Sequence, residues 1–420
     1  MAKIRKAVKR FIPITLPILL VVSLLINFSC LCTRTNEQVL DGIKNWVAKN
    51  RQLPELTDIE YEFITRQELH DKLQGNFEAE YDEQEEAIQK ELLILLGLIE
   101  EDLDLYQLYL DLNKEQIAGY YDQKTKKMYV ISDEQHLSVR NKMTFAHEIT
   151  HALQDQHYDI EALLELSGDD SEYSMGIKSL MEGDATLAQG FFYWQALNGR
   201  ERDIYVQESD EMQSPIYDNA PEIIKESLIF PYREGSEFVL SIYEDGGWDA
   251  VNSIYDNPPK SMEQIMHPEK YTAGDNPIVV GLPDLEALLG GSWDQKEAGA
   301  LGEFDLKHML EAFIEPSEAT TEATAGWGGD SFAYLRDDNG DKVLVVHSVW
   351  DSVIDAQEFF DIYADNRADD TWLWAVDGLY KKGWRAGDMI TYLEISGDDV
   401  LLIVAPDASV ADTVADAILP

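Results

Sequence analysis

Five consecutive residues, His147-Glu148-Ile149-Thr150-His151, form the pattern His-Glu-x-x-His, which can bind a metal ion and activate a water molecule. Positions i and i+4 of a helix lie on one face, so both imidazoles can reach the same ion. Glu148 is rotated by about 100° from His147 and can accept a proton from a metal-bound water. The spacing therefore predicts a metal centre with His147 and His151 as ligands and Glu148 as general base.

A catalytic zinc site usually has three protein ligands, and two residues compete for the third position. His157 lies six residues after His151, but Gln154 stands where the metzincin pattern needs a glycine to turn the chain. On a continuous helix, His157 would lie about 15 Å along the axis from His147, too far to share an ion. Glu182 is therefore favoured as the third ligand, with His157 as the alternative.

The metal motif falls in a segment that predicts a helix. No glycine or proline interrupts the chain from Ser138, a candidate N-cap, to well beyond the motif. Two β-rich runs precede it, at 117–121 and 127–131, and predict a hairpin or a looped strand pair. A second helix is predicted over 174–196, so Glu182 would come from a different helix than the two histidines.

These features together resemble the gluzincins, zinc metallopeptidases in which a glutamate completes the ligand set. The residues that carry the resemblance are the hairpin at 119–131, the motif at 147–151 and Glu182 in a Glu-Gly-Asp-Ala setting. Further stretches are similar to a group of poorly characterised exported bacterial proteins: 115–122, 151–157 and 258–264.

The resemblance implies a zincin-like catalytic region within an α+β fold. It implies that His147, His151 and Glu182 hold one Zn²⁺ and that Glu148 is the general base. It also implies that the strand near Met128–Ile131 forms the sheet edge along which an extended peptide substrate lies.

Peptide hydrolysis at such a site needs a hydrogen-bond donor for the tetrahedral intermediate. In gluzincins a His or a Tyr outside the metal motif supplies it. His267 and Tyr271 are the candidates here, and His267 is taken as the second catalytic residue beside Glu148. Asp184 or Asp155 is expected to orient the metal ligands through hydrogen bonds.

The first 32 residues differ in composition from the rest of the chain. Residues 1–10 carry five Lys and Arg and no acid, and residues 11–28 are almost entirely apolar, which is typical of an export signal. Leu24–Cys30 resembles a bacterial lipobox, which makes Cys30 a candidate for lipidation. An uncleaved signal anchor is the alternative. Both interpretations predict a membrane-anchored protein. A freely secreted product ranks behind them, and all three place the body of the protein outside the cytoplasm.

The charge balance excludes one class of partner. The chain has 80 Asp and Glu against 33 Lys and Arg, a formal net charge of −47, so it would repel a nucleic-acid backbone. Bound Ca²⁺ is one explanation of the acidity, but no motif indicates a calcium site, because Asp337–Asp341 lacks EF-hand spacing. The expected partners are a peptide or protein substrate and the membrane.

The chain is expected to divide into two parts after the leader. Residues 33–314 would hold a helical scaffold and the metallopeptidase region, with an irregular stretch where prolines recur at 215–231. The small polar residues at 315–326 predict a linker or long loop. Residues 327–420 predict a small α+β domain of unknown role, with a hairpin turn at Asn339-Gly340. Its predicted elements are strands at 331–336, 343–349, 371–376, 389–395 and 400–404, and helices at 354–365 and from Val410.

The sequence as a whole predicts an exported, membrane-tethered zinc metallopeptidase. The alternative is a non-catalytic binding or scaffold lipoprotein that keeps a zincin fold. A third interpretation is a metal-dependent hydrolase that acts on a non-peptide amide. The presence of Glu148 favours an enzyme, because a site that only binds a metal does not need a base beside the water.

Overall fold

The computed structural model describes residues 35–115, 119–131, 137–366 and 380–419. It is a mixed α+β protein with a helical N-terminal part and a C-terminal β-sheet, as the sequence predicted. The predicted leader at 1–32 and the predicted strand at 371–376 lie outside the described residues. Within those described ranges, none of the helices combines the length and the apolar character that crossing a bilayer requires.

Helices make up most of the described chain, and the described strands form two separate sheets. The helices are α1 (Asn36–Arg51), α2 (Arg66–Glu80), α3 (Glu83–Leu95), α4 (Leu105–Glu115), α5 (Val139–Tyr158), α6 (Ile160–Glu165), α7 (Ser171–Gln195), α8 (Gly199–Asp210), α9 (Pro215–Asn219), α10 (Glu222–Ile254), α11 (Met262–Met266), α12 (Pro268–Ala273), α13 (Leu285–Leu289), α14 (Gly302–Glu311), α15 (Glu318–Glu322), α16 (Val353–Asn366) and α17 (Ala408–Ile418). The strands are β1 (Glu60–Ile64), β2 (Gly119–Asp122), β3 (Lys127–Ile131), β4 (Trp293–Gly299), β5 (Trp327–Asp337), β6 (Lys342–Trp350), β7 (Lys381–Ala386), β8 (Met389–Ser396) and β9 (Asp399–Ala405).

Helix α5 carries the metal motif and begins where the sequence predicted. The side chain of Ser138 accepts the N–H of Asn141, which satisfies one of the unpaired donors of the first turn. The helix ends at Tyr158 and is capped by Asp159, whose φ of 48° is left-handed. Its buried apolar side chains share one core with α1 and β3, formed by residues that include Leu40, Val47, Met128, Phe145, Ile149 and Leu153.

A three-stranded sheet lies against α5, in the order β1-β3-β2. The predicted hairpin is confirmed, because β2 and β3 pair antiparallel with Tyr121 opposite Met128. The prediction that Met128–Ile131 forms the sheet edge is wrong. β1 pairs with β3 in parallel and places it in the centre, so β1 and β2 are the edges among the described strands. β1 was not predicted, because its pairing depends on a distant segment of the chain.

Helix α10 occupies the later part of the stretch at 215–231, where the recurring prolines predicted irregular structure. It runs from Glu222 to Ile254 with Pro231 inside it and a break at Gly247, where φ is 67°. A proline in a helix costs about 3 kcal/mol, but burial of the apolar face of α10 against α7 offsets that cost.

Helices α7 and α10 cross at backbone contact. A Cβ atom added to Gly183 would lie 2.1 Å from the carbonyl oxygen of Gly235. A Cβ atom added to Gly235 would lie 2.2 Å from the carbonyl oxygen of Ser179. Glycine is therefore required at both positions, and the crossing determines how closely α10 approaches Glu182.

The C-terminal sheet has the strand order β4-β5-β6-β9-β8-β7, and all neighbouring strands are antiparallel. Side chains alternate between its two faces, and both faces are buried. One face packs on α16 through residues that include Phe332, Tyr334, Leu344, Val346 and Phe359. The other packs on α13 and α17 through residues that include Ala333, Leu335, Val345, Leu285 and Val414. The predicted hairpin turn is confirmed, with Gly340 at a φ of 92°.

The predicted linker at 315–326 is wrong. Helix α15 occupies part of it, and Ser317 and Thr320 cap its first turn reciprocally. Thr320 and Thr324 are fully buried. Small polar residues are typical of loops, but the side chains of Thr320 and Thr324 are also small enough to pack in the protein interior. Because β4 spans 293–299, the sheet also begins before residue 327.

Candidate metal centre

Helices α5 and α7 bring three ligand atoms together. His147 Nε2 lies 3.0 Å from His151 Nε2 and 3.0 Å from Glu182 Oε2. His151 Nε2 lies 3.2 Å from the same oxygen of Glu182. Zinc bonds of about 2.0 to 2.2 Å in tetrahedral geometry separate ligand atoms by about 3.3 Å, so the spacing suits one ion. These residues, called the triad below, could hold a metal ion.

The electrostatics of the triad favour a positive charge at its centre. Burial lowers the pKa of His151, but Glu182 outweighs it and raises that pKa to about 10. Burial raises the pKa of Glu182, but the two imidazoles outweigh it and hold that pKa well below its ordinary value. Two lone pairs and a carboxylate oxygen at this distance repel one another unless a cation or a proton lies between them.

Glu148 points from the same helix toward the edge strand. Its Oε2 accepts the backbone N–H of Tyr121 at 2.8 Å. Burial raises the pKa of Glu148, while the imidazoles of His147 and His151 act in the opposite direction. A carboxylate with a raised pKa suits a base that must accept a proton and then release it.

The residues predicted to stabilise the tetrahedral intermediate lie in other contacts. His267 Nε2 is 3.0 Å from both carboxylate oxygens of Glu303. The Tyr271 hydroxyl donates to the carbonyl oxygen of Asn257 at 2.8 Å. None of the contacts described for His267 or Tyr271 is with the triad.

His157, the alternative third ligand, also lies in a different contact. Its Nε2 donates to the carbonyl oxygen of Pro54 at 2.8 Å. Helix α5 continues without a turn from His151 to His157, as the lack of a glycine at position 154 predicted. The structure therefore brings Glu182, and not His157, to the two histidines of the motif.

Tyr232 lies beside the triad and was not predicted. Its ring stacks on that of His147, with centroids 6.0 Å apart and planes 27° apart. Desolvation of the hydroxyl, with the carboxylates of Glu182 and Glu148 close by, raises its pKa well above the ordinary value. The residue is still 40% exposed, so it borders the open side of the site. Tyr232 is one of 20 tyrosines and follows Pro231, and no motif marks it.

Asp184 supports the triad indirectly. Nδ1 of His151 is 2.8 Å from Oε1 of Gln154. Gln154 Nε2 donates to Asp184 Oδ2 at 3.1 Å. The carboxylate of Asp184 therefore reaches His151 through the amide of Gln154, which was not predicted to have this role.

The hydrogen bonds described for Asp155 are with the β2–β3 hairpin and not with a metal ligand. It accepts the Tyr121 hydroxyl at 2.8 Å and the Lys126 ammonium at 2.8 Å. The backbone of Tyr121 in turn holds Glu148. Asp155 thus influences the position of Glu148 through β2.

Comparison with known proteins adds information about the C-terminal part of the chain. Residues 289–415 match a family described as a domain of unknown function (DUF8575). The match covers the six-stranded sheet, including β4, and none of the triad. Searches of the curated proteins and of the solved structures gave no significant match.

Proposed function

We propose that the protein is a zinc-dependent metallopeptidase that hydrolyses peptide bonds outside the cytoplasm. The observation that carries this proposal is the convergence of His147, His151 and Glu182, with Glu148 held next to them by a backbone N–H. Two imidazoles and one carboxylate are a donor set typical of catalytic zinc, with the fourth position left to water or substrate. The donor set thus fits the ion that the motif predicted.

A zinc ion bound by the triad would lower the pKa of its water to about 7 and polarise a substrate carbonyl. Glu148 would accept the proton of that water and later deliver it to the leaving amine. The Tyr121 N–H holds one oxygen of the Glu148 carboxylate and fixes its orientation. A base held in this way needs no reorganisation when the substrate binds.

The hydroxyl of Tyr232 is the donor that we propose for the developing oxyanion. It lies near Glu182 and Glu148, its ring stacks on His147, and it borders the open side of the site. The proposal therefore moves this role from His267 to Tyr232. An extended peptide would lie along β2, the edge strand beside α5.

The membrane-anchored location rests on the sequence of the leader. Its basic start, apolar stretch and Cys30 support export and attachment through a lipid or a signal anchor. The body of the protein, with the triad, would then act on the extracytoplasmic face.

Peptide-library cleavage and metal analysis of the full-length protein in detergent test this function together. We expect one zinc per chain, cleavage that stops when a chelator removes the ion, and recovery when zinc is restored. Zinc without cleavage of any peptide would favour the non-catalytic binding lipoprotein. Cleavage of non-peptide amides alone would favour the other hydrolase.

A further inference from the structure

A buried ion pair between Arg51 and Asp184 connects helix α1 to the residues that support the triad. Arg51 is the last residue of α1, and its side chain is fully buried. Its Nε and Nη2 donate to the two oxygens of Asp184 at 2.5 and 2.9 Å. Its Nη1 donates to Asn252, and its guanidinium lies 4.2 Å from the ring centroid of Trp248. Every part of the guanidinium is therefore held in one position.

The amide of Gln154 has one orientation that satisfies its neighbours. Its nitrogen side faces two acceptors, Met181 O at 3.0 Å and Asp184 Oδ2 at 3.1 Å. The backbone carbonyl of Met181 can only accept a hydrogen bond, so the NH₂ group must lie there. The amide oxygen then faces Nδ1 of His151, which must carry the ring hydrogen. Nε2 of His151 is then the nitrogen that faces the other two triad residues and is available to a metal ion.

We infer that Arg51, Asp184 and Gln154 form a positioning relay that keeps His151 in its metal-binding tautomer. The inference rests on the proposed metal centre. It makes helix α1 part of the construction of that centre, although Arg51 precedes His151 by 100 residues. None of the three touches a substrate, so they are positioning residues.

Removal of the charge of Arg51 would act on His151 through two hydrogen bonds. Asp184 would lose the two hydrogen bonds that Arg51 donates, and its carboxylate would no longer be fixed in the orientation in which it accepts from Gln154. The amide of Gln154 would then be held less firmly against Nδ1 of His151. The His151 ring would be free to shift, which displaces Nε2 from its position facing His147 and Glu182.

The test measures the zinc dissociation constant of the full-length protein by competition with a chromogenic chelator. We expect Arg51→Met and Gln154→Leu to raise it by about 10- to 100-fold. Arg51→Lys should raise it less, because it keeps the charge. Lys44→Met is the matched control: Lys44 is also buried on α1, but it pairs with Glu55 and Asp58, so its loss should leave zinc affinity unchanged.

A spectroscopic readout separates positioning from simple stability. Cobalt in place of zinc should give an altered visible spectrum in Arg51→Met and Gln154→Leu, because His151 is misplaced as a ligand. Lower thermal stability with wild-type zinc affinity and spectrum would overturn the relay. If Arg51→Met does not fold, Gln154→Leu decides, because it leaves the Arg51–Asp184 pair in place.

The relay and the proposed activity fail in different ways. A wild-type protein that binds zinc but cleaves nothing overturns the peptidase and leaves the relay to be decided by the variants. Unchanged zinc affinity in Gln154→Leu overturns the relay and leaves the peptidase. A wild-type protein that binds no zinc overturns the metal centre and the relay together.

Discussion

The backbone N–H of Tyr121 lies 2.8 Å from Oε2 of Glu148 and joins the edge strand to the metal-motif helix. The same residue is held a second time, because its hydroxyl donates to Asp155 on that helix. The proposed general base therefore takes its position from a strand residue whose side chain is itself held on the same helix. This arrangement links the chemistry of Glu148 to the placement of β2.

Tyr232→Phe should lower kcat by about 10²- to 10³-fold, because it removes the donor proposed for the oxyanion. Zinc content should not change, since the ring and its stacking on His147 remain. Steady-state kinetics with a cleaved peptide, together with metal analysis, check both parts.

Two control variants test the residues that the sequence alone had suggested. His267→Gln and Tyr271→Phe should leave kcat near that of the wild type, because these side chains contact Glu303 and Asn257. Loss of activity in His267→Gln with full activity in Tyr232→Phe would return the role to His267.

Glu182→Ala should release zinc, because it removes the carboxylate from the triad and leaves two ligands. His157→Ala should retain one zinc per chain, since His157 donates to Pro54 and lies outside the triad. Metal analysis after dialysis compares the two proteins. The opposite pattern would favour the metzincin arrangement.

Gly183→Ala should destabilise the protein by about 1 to 3 kcal/mol, because the new methyl group overlaps the backbone of α10 at Gly235. It should also weaken zinc binding, since Gly183 adjoins Glu182. Gly190→Ala is the control on the same helix, where an added Cβ meets nothing within 4 Å. It should stabilise the protein by up to about 1 kcal/mol, and thermal unfolding compares the two variants.

The contribution of Asp305 and Asp330 to stability should fall as the pH rises from about 4 to about 7, because both acids are desolvated where α14 meets β5. Burial and then the neighbouring Asp330 raise the pKa of Asp305 to about 7, and burial raises that of Asp330 to about 6. In this interval the folded state retains protons that the unfolded state has released. The contribution of these two acids to the free energy of unfolding therefore decreases as the pH rises.

Asp305→Asn should flatten this pH dependence and raise the free energy of unfolding at pH 8 by at least about 1 kcal/mol. The exposed Asp102 serves as the control, and Asp102→Asn should keep the wild-type profile. Thermal midpoints across the pH range are the measurement. An Asp305→Asn profile that runs parallel to the wild-type profile from pH 4 to pH 7 would contradict the assignment.

The parts of the structure that follow from local patterns could be predicted from the sequence. The cap at Ser138, the i and i+4 spacing of the two histidines and the turn at Asn339-Gly340 each depend on a few neighbouring residues. The pairing of Glu182 with the histidines could also be predicted, because a zinc site needs a third ligand and a second helix offered a carboxylate.

The remaining parts depend on contacts between distant segments. Tyr232 reaches His147 because α7 and α10 cross at Gly183 and Gly235, and neither glycine marks a helix crossing in the sequence. In the sequence, Arg51 is an ordinary basic residue at the end of a helix, and no local pattern indicates its buried contact with Asp184. The central position of β3 depends in the same way on a parallel strand formed much earlier in the chain.

Glu148→Gln, measured beside the wild type, tests the central claim most directly. The variant keeps the shape of the side chain but cannot accept a proton, while the triad is unchanged. We predict one zinc per chain in both proteins and a loss of at least about 10²-fold in kcat/KM for the variant. Glu161→Gln, on the adjoining helix α6, should match the wild type in both measurements. Undiminished cleavage by Glu148→Gln, with zinc bound, would contradict the proposed mechanism.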